Sequence, residues 1–242
     1  MIRCGARSGL FVFSVSTPLA VVLFLPVCVY SQTIPVDFRQ SCSSNDVDSV
    51  RADAGVGAID ALVGSLRKDS FPELARINVG VRTFQSEFDY FRTRFSLSRF
   101  VLLRRMRYYI EVNPALFQQQ APSRGVCAIL AHELSHVASL SRGNRIRRLG
   151  LIRLLSKRYT AKFERRTDLE AIHRGYGNGL KSYRVWVYSH VPPNKLPAKL
   201  RNYFSPEEIT AIQMKLQDNP DLFAYWTKHV PENLKEIENR PR

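Results

Sequence analysis

The stretch Ala128-Ile129-Leu130-Ala131-His132-Glu133-Leu134-Ser135-His136-Val137 constrains this chain more than any other. Its ionisable residues are spaced H-E-x-x-H. Their neighbours Val126, Cys127, Ile129, Leu130, Leu134, Val137, Ala138 and Leu140 are apolar, which predicts a helix buried on several faces with Ser123 as N-cap. Residues four apart on a helix are offset by about 40° around its axis, so His132 and His136 can address one metal ion. Glu133 follows the first imidazole on the same turn. There its carboxylate can take a proton from a metal-activated water and hand it to a leaving amine. Ionisable groups in so apolar a helix need a reason, and a zinc ion supplies one. Three fixed positions in five residues also arise by chance, as two hydrogen-bonding histidines and a surface glutamate.

A second stretch bears on that choice. Tyr159 to Tyr176 reads as another helix, closed by Gly175, Gly177 and Gly179. Within Phe163-Glu164-Arg165-Arg166-Thr167-Asp168, the two acids are four apart and share a face. A carboxylate from a second helix completes two His and one acid around a catalytic zinc, with the fourth position left for water. Asp168, one turn on, can accept the other ring N–H of a ligand histidine and fix its tautomer. The plain alternative is a surface Glu and Asp pairing with the neighbouring arginines.

H-E-x-x-H followed by E-x-x-x-D on a later helix resembles the gluzincins, and in detail the HtpX and CaaX-prenyl-protease type of peptidase with its small soluble relatives. The resemblance runs from about Tyr108 to Tyr176. It takes in Glu111-Val112-Asn113, the histidine helix and the Glu164–Asp168 stretch. It implies a zincin-like α+β fold with one zinc ion held between two helices beside a small sheet. It further implies His132, His136 and Glu164 as zinc ligands, Glu133 as general base and acid, and Asp168 behind a ligand. Membrane-embedded members carry transmembrane segments between His136 and Glu164, and no such segment is present in this sequence. Thr167 stands where the family usually has Ala, a departure expected to touch no ligand. Family members often place a downstream His or Arg at the oxyanion, which makes His190 a candidate, although a loop histidine without a role reads equally well.

With 242 residues and 45% apolar content, the chain can build one sizeable core. Its net charge of +15 favours anionic partners such as membrane surfaces or acidic polymers. The absence of zinc-finger spacing, RNA-binding signature and P-loop argues against nucleic acid. Residues 1–31 read as an export signal or a membrane anchor: Arg3 and Arg7 precede an uncharged, mostly apolar run from Leu10 to Tyr30, and Ser31 offers a small residue for cleavage. Pro18 and Pro26 weaken a regular spanning helix there. The expected location is therefore periplasmic or secreted, with residues 10–30 as the alternative anchor. Residues 32–242 then form a single domain. Beyond the leader only Cys42 and Cys127 remain, and pairing and free thiols are equally open.

Elsewhere, Asp48 to Arg67 fits a helix imperfectly, and Ile77, Val79 and Val81 alternate as a half-buried strand. Phe84 to Phe100 is aromatic and basic and resists assignment. The strand ending at Val112 is either an edge strand above the metal, open to a peptide by strand addition, or a core strand, which periodicity alone favours. Arg145 to Arg158 reads as a basic amphipathic helix, either resting on an anionic membrane or packed on its own domain. Tyr183 to Tyr188 reads as a strand leading to a loop at His190, and Ser205-Pro206-Glu207-Glu208 opens a helix. Glu232 to Arg242 is expected to fray. The function expected on this reading is zinc-dependent hydrolysis of a peptide or protein substrate. The alternative is an inactive zincin-fold binding or assembly protein at the cell envelope.

Overall fold

The structure is a computed structural model, and it describes residues 55–102, 104–142 and 156–239. By backbone contacts the chain divides into Met1–Ile34 and Pro35–Arg242, and every described residue belongs to the second part. Residues 1–31, expected as an export signal or anchor, and most of the basic Arg145–Arg158 stretch lie outside the described residues. None of the described helices is long and apolar enough to cross a membrane.

The architecture is α+β, mostly helical, with one three-stranded mixed sheet. Helix α1 (Gly55–Asp69) buries Ile59, Leu62, Val63 and Leu66 at helical spacing and stops at Phe71-Pro72. Strands β1 (Asn78–Thr83), β2 (Phe91–Phe95) and β3 (Arg107–Val112) follow, with a short helix α2 (Leu97–Val101) between the last two. The spatial order is β1-β3-β2. Strand β3 runs parallel to β1, from Asn78 opposite Arg107 to Thr83 opposite Val112, and antiparallel to β2, with Thr93 opposite Ile110. Tyr108, Ile110 and Val112 are buried, and Arg107, Tyr109 and Glu111 face outward. The strand expected as either edge or core is therefore the central one, and the edge beside the histidine helix is β2, inside the stretch that had resisted assignment.

A short helix α3 (Ala115–Gln118) leads into α4 (Ser123–Arg142), the axis of the fold, which is buried without interruption from Gly125 to Ala138. Cys127 is disulfide-bonded, and its partner lies outside the described residues. Helix α5 (Lys157–Ala171) then passes through a π turn to α6 (Gly177–His190). Only Gly175 of the three glycines ends a helix there. Its φ of 93° redirects the chain, a conformation that a side chain disfavours. Gly177 and Gly179 lie within α6 instead.

The expected strand Tyr183–Tyr188 is part of α6. Its aromatic and β-branched residues favour a strand locally, but Leu180, Tyr183, Arg184 and Val187 recur at helical spacing and bury together against α4. The two helices meet at glycines. A Cβ on Gly179 would overlap the Arg124 carbonyl and stand 2.9 Å from the Ala128 Cβ, and one on Gly125 would stand 3.1 Å from the Tyr183 Cβ. Helices α7 (Leu196–Asn202), α8 (Pro206–Asp218), α9 (Leu222–Lys228) and α10 (Leu234–Glu238) close the far side. Ser205 and Glu208 form the expected reciprocal cap at the start of α8. The tail does not fray up to Glu238, because Asn233 caps α10 and Ile237 is buried.

Replacing Gly179 with alanine is expected to destabilise the protein by about 1–3 kcal/mol, since one of the clashing atoms is backbone and has no slack. Gly64→Ala, on the open face of α1 with nothing within 4 Å of the new methyl, is expected to stabilise it by about 0.5–1 kcal/mol. Denaturant midpoints of the two variants against the parent give both signs in one experiment.

Candidate metal centre

Helix α4 carries His132, Glu133 and His136, and α5, packed beside it, carries Glu164, Thr167 and Asp168. The two imidazoles lie edge to face with ring centroids 4.7 Å apart. Glu164 Oε2 stands 3.3 Å from His132 Nε2 and 3.1 Å from His136 Nε2, and the three donor atoms fall within 4.8 Å of one another. Tetrahedral coordination at about 2.0–2.1 Å places neighbouring donors about 3.4 Å apart. The residues present therefore fit a metal ion, with two imidazole nitrogens and one carboxylate oxygen converging on a point. Among the described residues this is the cluster of His, Cys, Asp and Glu able to hold one.

Each histidine is held from behind by a different group. His132 Nδ1 lies 2.8 Å from Asp168 Oδ1. Asp168 is fully buried, and its carboxylate accepts from the Arg184 guanidinium at 2.7 Å and from the Phe204 backbone N–H at 3.1 Å. Burial alone would raise the Asp168 pKa, but Arg184, His132 and the Phe204 amide outweigh it and hold the group ionised below its ordinary range. Arg184 was not visible as a site residue, because its segment read as a strand.

His136 Nδ1 meets Thr167 Oγ1 at 3.2 Å. The Thr167 hydroxyl donates its proton to the Phe163 carbonyl at 2.9 Å. A carbonyl can only accept, and the hydroxyl has one proton, so Oγ1 accepts from His136 and the imidazole carries its hydrogen on Nδ1. That leaves Nε2, 3.1 Å from Glu164 Oε2, as the atom to take a metal. Thr167 was expected to touch no ligand, yet it bonds to His136, one of the three candidates.

Glu133 is held across the cleft by β2. Thr93 Oγ1 donates to Glu133 Oε2 at 2.7 Å and lies 3.1 Å from the Glu133 backbone oxygen. No local sequence signal marked Thr93. The cleft in front encloses about 540 Å³, with Glu133, His136 and Glu164 reaching into it between walls that include Phe91, Phe95, Leu140, Phe163 and Tyr203. Burial, with Glu164 close by, keeps the Tyr203 phenol protonated far above neutral pH, so it remains a hydrogen-bond donor. His190 lies elsewhere: it ends α6, exposed, with its ring stacked on Trp186 and Nδ1 2.8 Å from the Trp186 carbonyl oxygen. It is not among the described residues that line the cleft.

The charges interlock. Burial lowers the His132 pKa, yet contacts with Asp168, Glu164 and Glu133 outweigh this and push it up to about 9. Burial raises the Glu164 carboxyl, and the His136 and His132 rings more than reverse it, holding the group well below the usual carboxylate range. In comparisons of the chain with protein-family models, curated proteins and solved structures, nothing matches. The site is read from its own geometry.

Two expectations follow. A metal ion must displace the His132 proton, so its apparent affinity should rise with pH up to about 9. The imidazolium contributes stability to the metal-free fold fully below its ordinary value of 6.5, and that contribution fades as pH rises through about 9. Metal affinity and metal-free stability should thus move in opposite directions across this window. Competition titrations and thermal midpoints of chelated protein measure the two. Thr167→Val should weaken metal binding by roughly 10–100-fold, whereas Thr167→Ser keeps the hydroxyl and should restore most of it.

Proposed function

We propose that this chain is a zinc-dependent endopeptidase with a zincin-like site. The observation that carries the reading is the convergence of His132, His136 and Glu164, with the Glu133 carboxylate beside them in the same cleft. His132 and His136 from one helix and Glu164 from the next would hold a single zinc ion, a donor set typical of catalytic zinc with an open fourth position. Zinc bound there supplies Lewis acidity and lowers the pKa of water to near neutrality.

The chain's own residues do the rest. Thr93 keeps the Glu133 carboxylate oriented. Glu133 takes the proton of the attacking water and returns it to the leaving amine. Tyr203 offers a protonated donor at the cleft wall to the carbonyl oxygen that gains charge. Asp168 and Thr167 fix the faces that His132 and His136 present. Strand β2 is an edge strand whose residues line the cleft, so an extended peptide can pair along it. Phe91, Phe95, Leu140 and Phe163 favour apolar side chains in that peptide.

The reading also takes the protein to be exported, periplasmic or secreted, through its basic-then-apolar leader. Its substrates are then peptides or proteins of that compartment.

Elemental analysis of the purified chain beside Glu164→Ala, His136→Ala and Glu133→Gln tests this reading. We expect about one zinc per chain in the parent and in Glu133→Gln, and strongly reduced zinc in the other two. Cleavage of an unfolded protein substrate should fall by roughly 10²–10⁴-fold in Glu133→Gln. A parent without zinc after reconstitution rejects the reading. Zinc without cleavage would instead indicate a zincin-like binding or assembly protein.

A further inference from the structure

A second surface lies at the end of the sheet, and its pocket shares no residue with the metal cleft. The described residues of the corner between β2 and β3, which are α2, Leu102 and Arg104 to Met106, combine apolar and basic groups. Leu102 is 60% exposed and lies within three residues of Arg99, Arg104 and Arg105. Beside it lies a pocket of about 310 Å³ lined by Arg76, Arg99, Arg105, Asn78, Ile77 and Met106. The Arg105 guanidinium donates to the Arg76 carbonyl, and Arg99 donates to the Arg105 carbonyl at 3.4 Å. Carbonyls orient these cations without neutralising them, and among the described residues no carboxylate lines the pocket.

The basic surface continues along the outer face of the sheet. Cross-strand register puts Arg82, Arg92, Arg94 and Arg107 there, around Tyr109 and Glu111. Arg82 lies 3.3 Å over the Tyr109 ring, so the aromatic face is covered by a cation. Glu111 lies 2.5 Å from Arg92 and 4.0 Å from Arg94. Among the described strand residues, one carboxylate therefore stands against four arginines on this face, and a pocket with three more arginines lies at its end.

We propose that this corner docks the protein on an anionic lipid surface, with Leu102 entering the headgroup layer and Arg76, Arg99 and Arg105 binding lipid phosphates. Charge complementarity selects an anionic partner. The exposed leucine on the basic rim selects a lipid layer, since an interfacial element combines apolar insertion with surrounding basic residues. A single-stranded nucleic acid would call for open aromatic faces, and Tyr109 is covered. The corner begins where β2 ends, at Ser96. Five residues of strand span about 17 Å, so docking holds the cleft along β2 close to the bilayer. This inference stands apart from the metal chemistry and does not depend on turnover.

The test places a reporter at the corner of the full chain. Leu102→Trp is mixed with phosphatidylcholine vesicles, with or without phosphatidylglycerol, and Val185→Trp, exposed on α6, serves as control. The added tryptophan at 102 should shift its emission to the blue and be quenched by brominated acyl chains only when phosphatidylglycerol is present. Adding Arg99→Glu and Arg105→Glu to Leu102→Trp should weaken that response about tenfold or more. The control should not respond. The proposal is overturned if position 102 stays in water on both vesicles. It is equally overturned if the arginine reversals change nothing, if both reporters respond alike, or if the corner binds an acidic polypeptide but no vesicle.

Discussion

A single buried carboxylate organises the molecule. Asp168 has no exposed surface, and its three partners come from three other segments: His132 from α4, Arg184 from α6, and the Phe204 amide from the chain between α7 and α8. An unpaired charge in that position would cost several kcal/mol, and each partner removes part of the penalty. Without Asp168 the Arg184 guanidinium, itself buried, would be stranded beneath Tyr203. The group that orients one histidine is therefore also the bolt between α4, α5 and α6. Disturbing the site from behind and loosening the fold are the same event here.

The two threonines serve the opposite side of the cluster. Thr167 bonds to His136 from within α5, and Thr93 bonds to Glu133 from the sheet. Each is a short, stiff side chain with one proton to give, which makes the hydrogen-bond direction unambiguous where a longer polar side chain would leave a choice. Strand β2 joins the two halves of the site. Its inward Thr93 holds Glu133, its residues from Phe91 to Phe95 all line the cleft, and its arginines also belong to the basic face. A peptide pairing with that edge and a surface engaging the corner beyond it would act on one strand.

The site's principal residues could be read because helical spacing is local. His132, Glu133 and His136 lie within two turns of one helix, and Glu164, Thr167 and Asp168 within two turns of another, so their common faces follow from 3.6 residues per turn. Residues that depend on a partner distant in the chain were hidden. Thr93 meets Glu133 across forty residues, in a segment with no clear period. Arg184 lies in Tyr183-Arg184-Val185-Trp186-Val187-Tyr188, whose local preference is for strand, and its helical state becomes evident only when α4 supplies an apolar face to bury against. The same error moved His190 into a loop, whereas it ends a helix.

The sequence by itself determined that a buried helix and a second helix carry an H-E-x-x-H and E-x-x-x-D donor set, that β1 alternates, and that an N-cap with acids in its first turn starts α8. These are rules of spacing along one element, and the chain cannot form the element without obeying them. Only the tertiary structure decided that β3 lies inside the sheet and β2 at its edge, that Gly125 and Gly179 are contact points between helices, and that Asp168 rather than solvent compensates Arg184. Those outcomes depend on which surfaces meet. Burial free energy is shared between segments far apart in the chain, so no local window contains it.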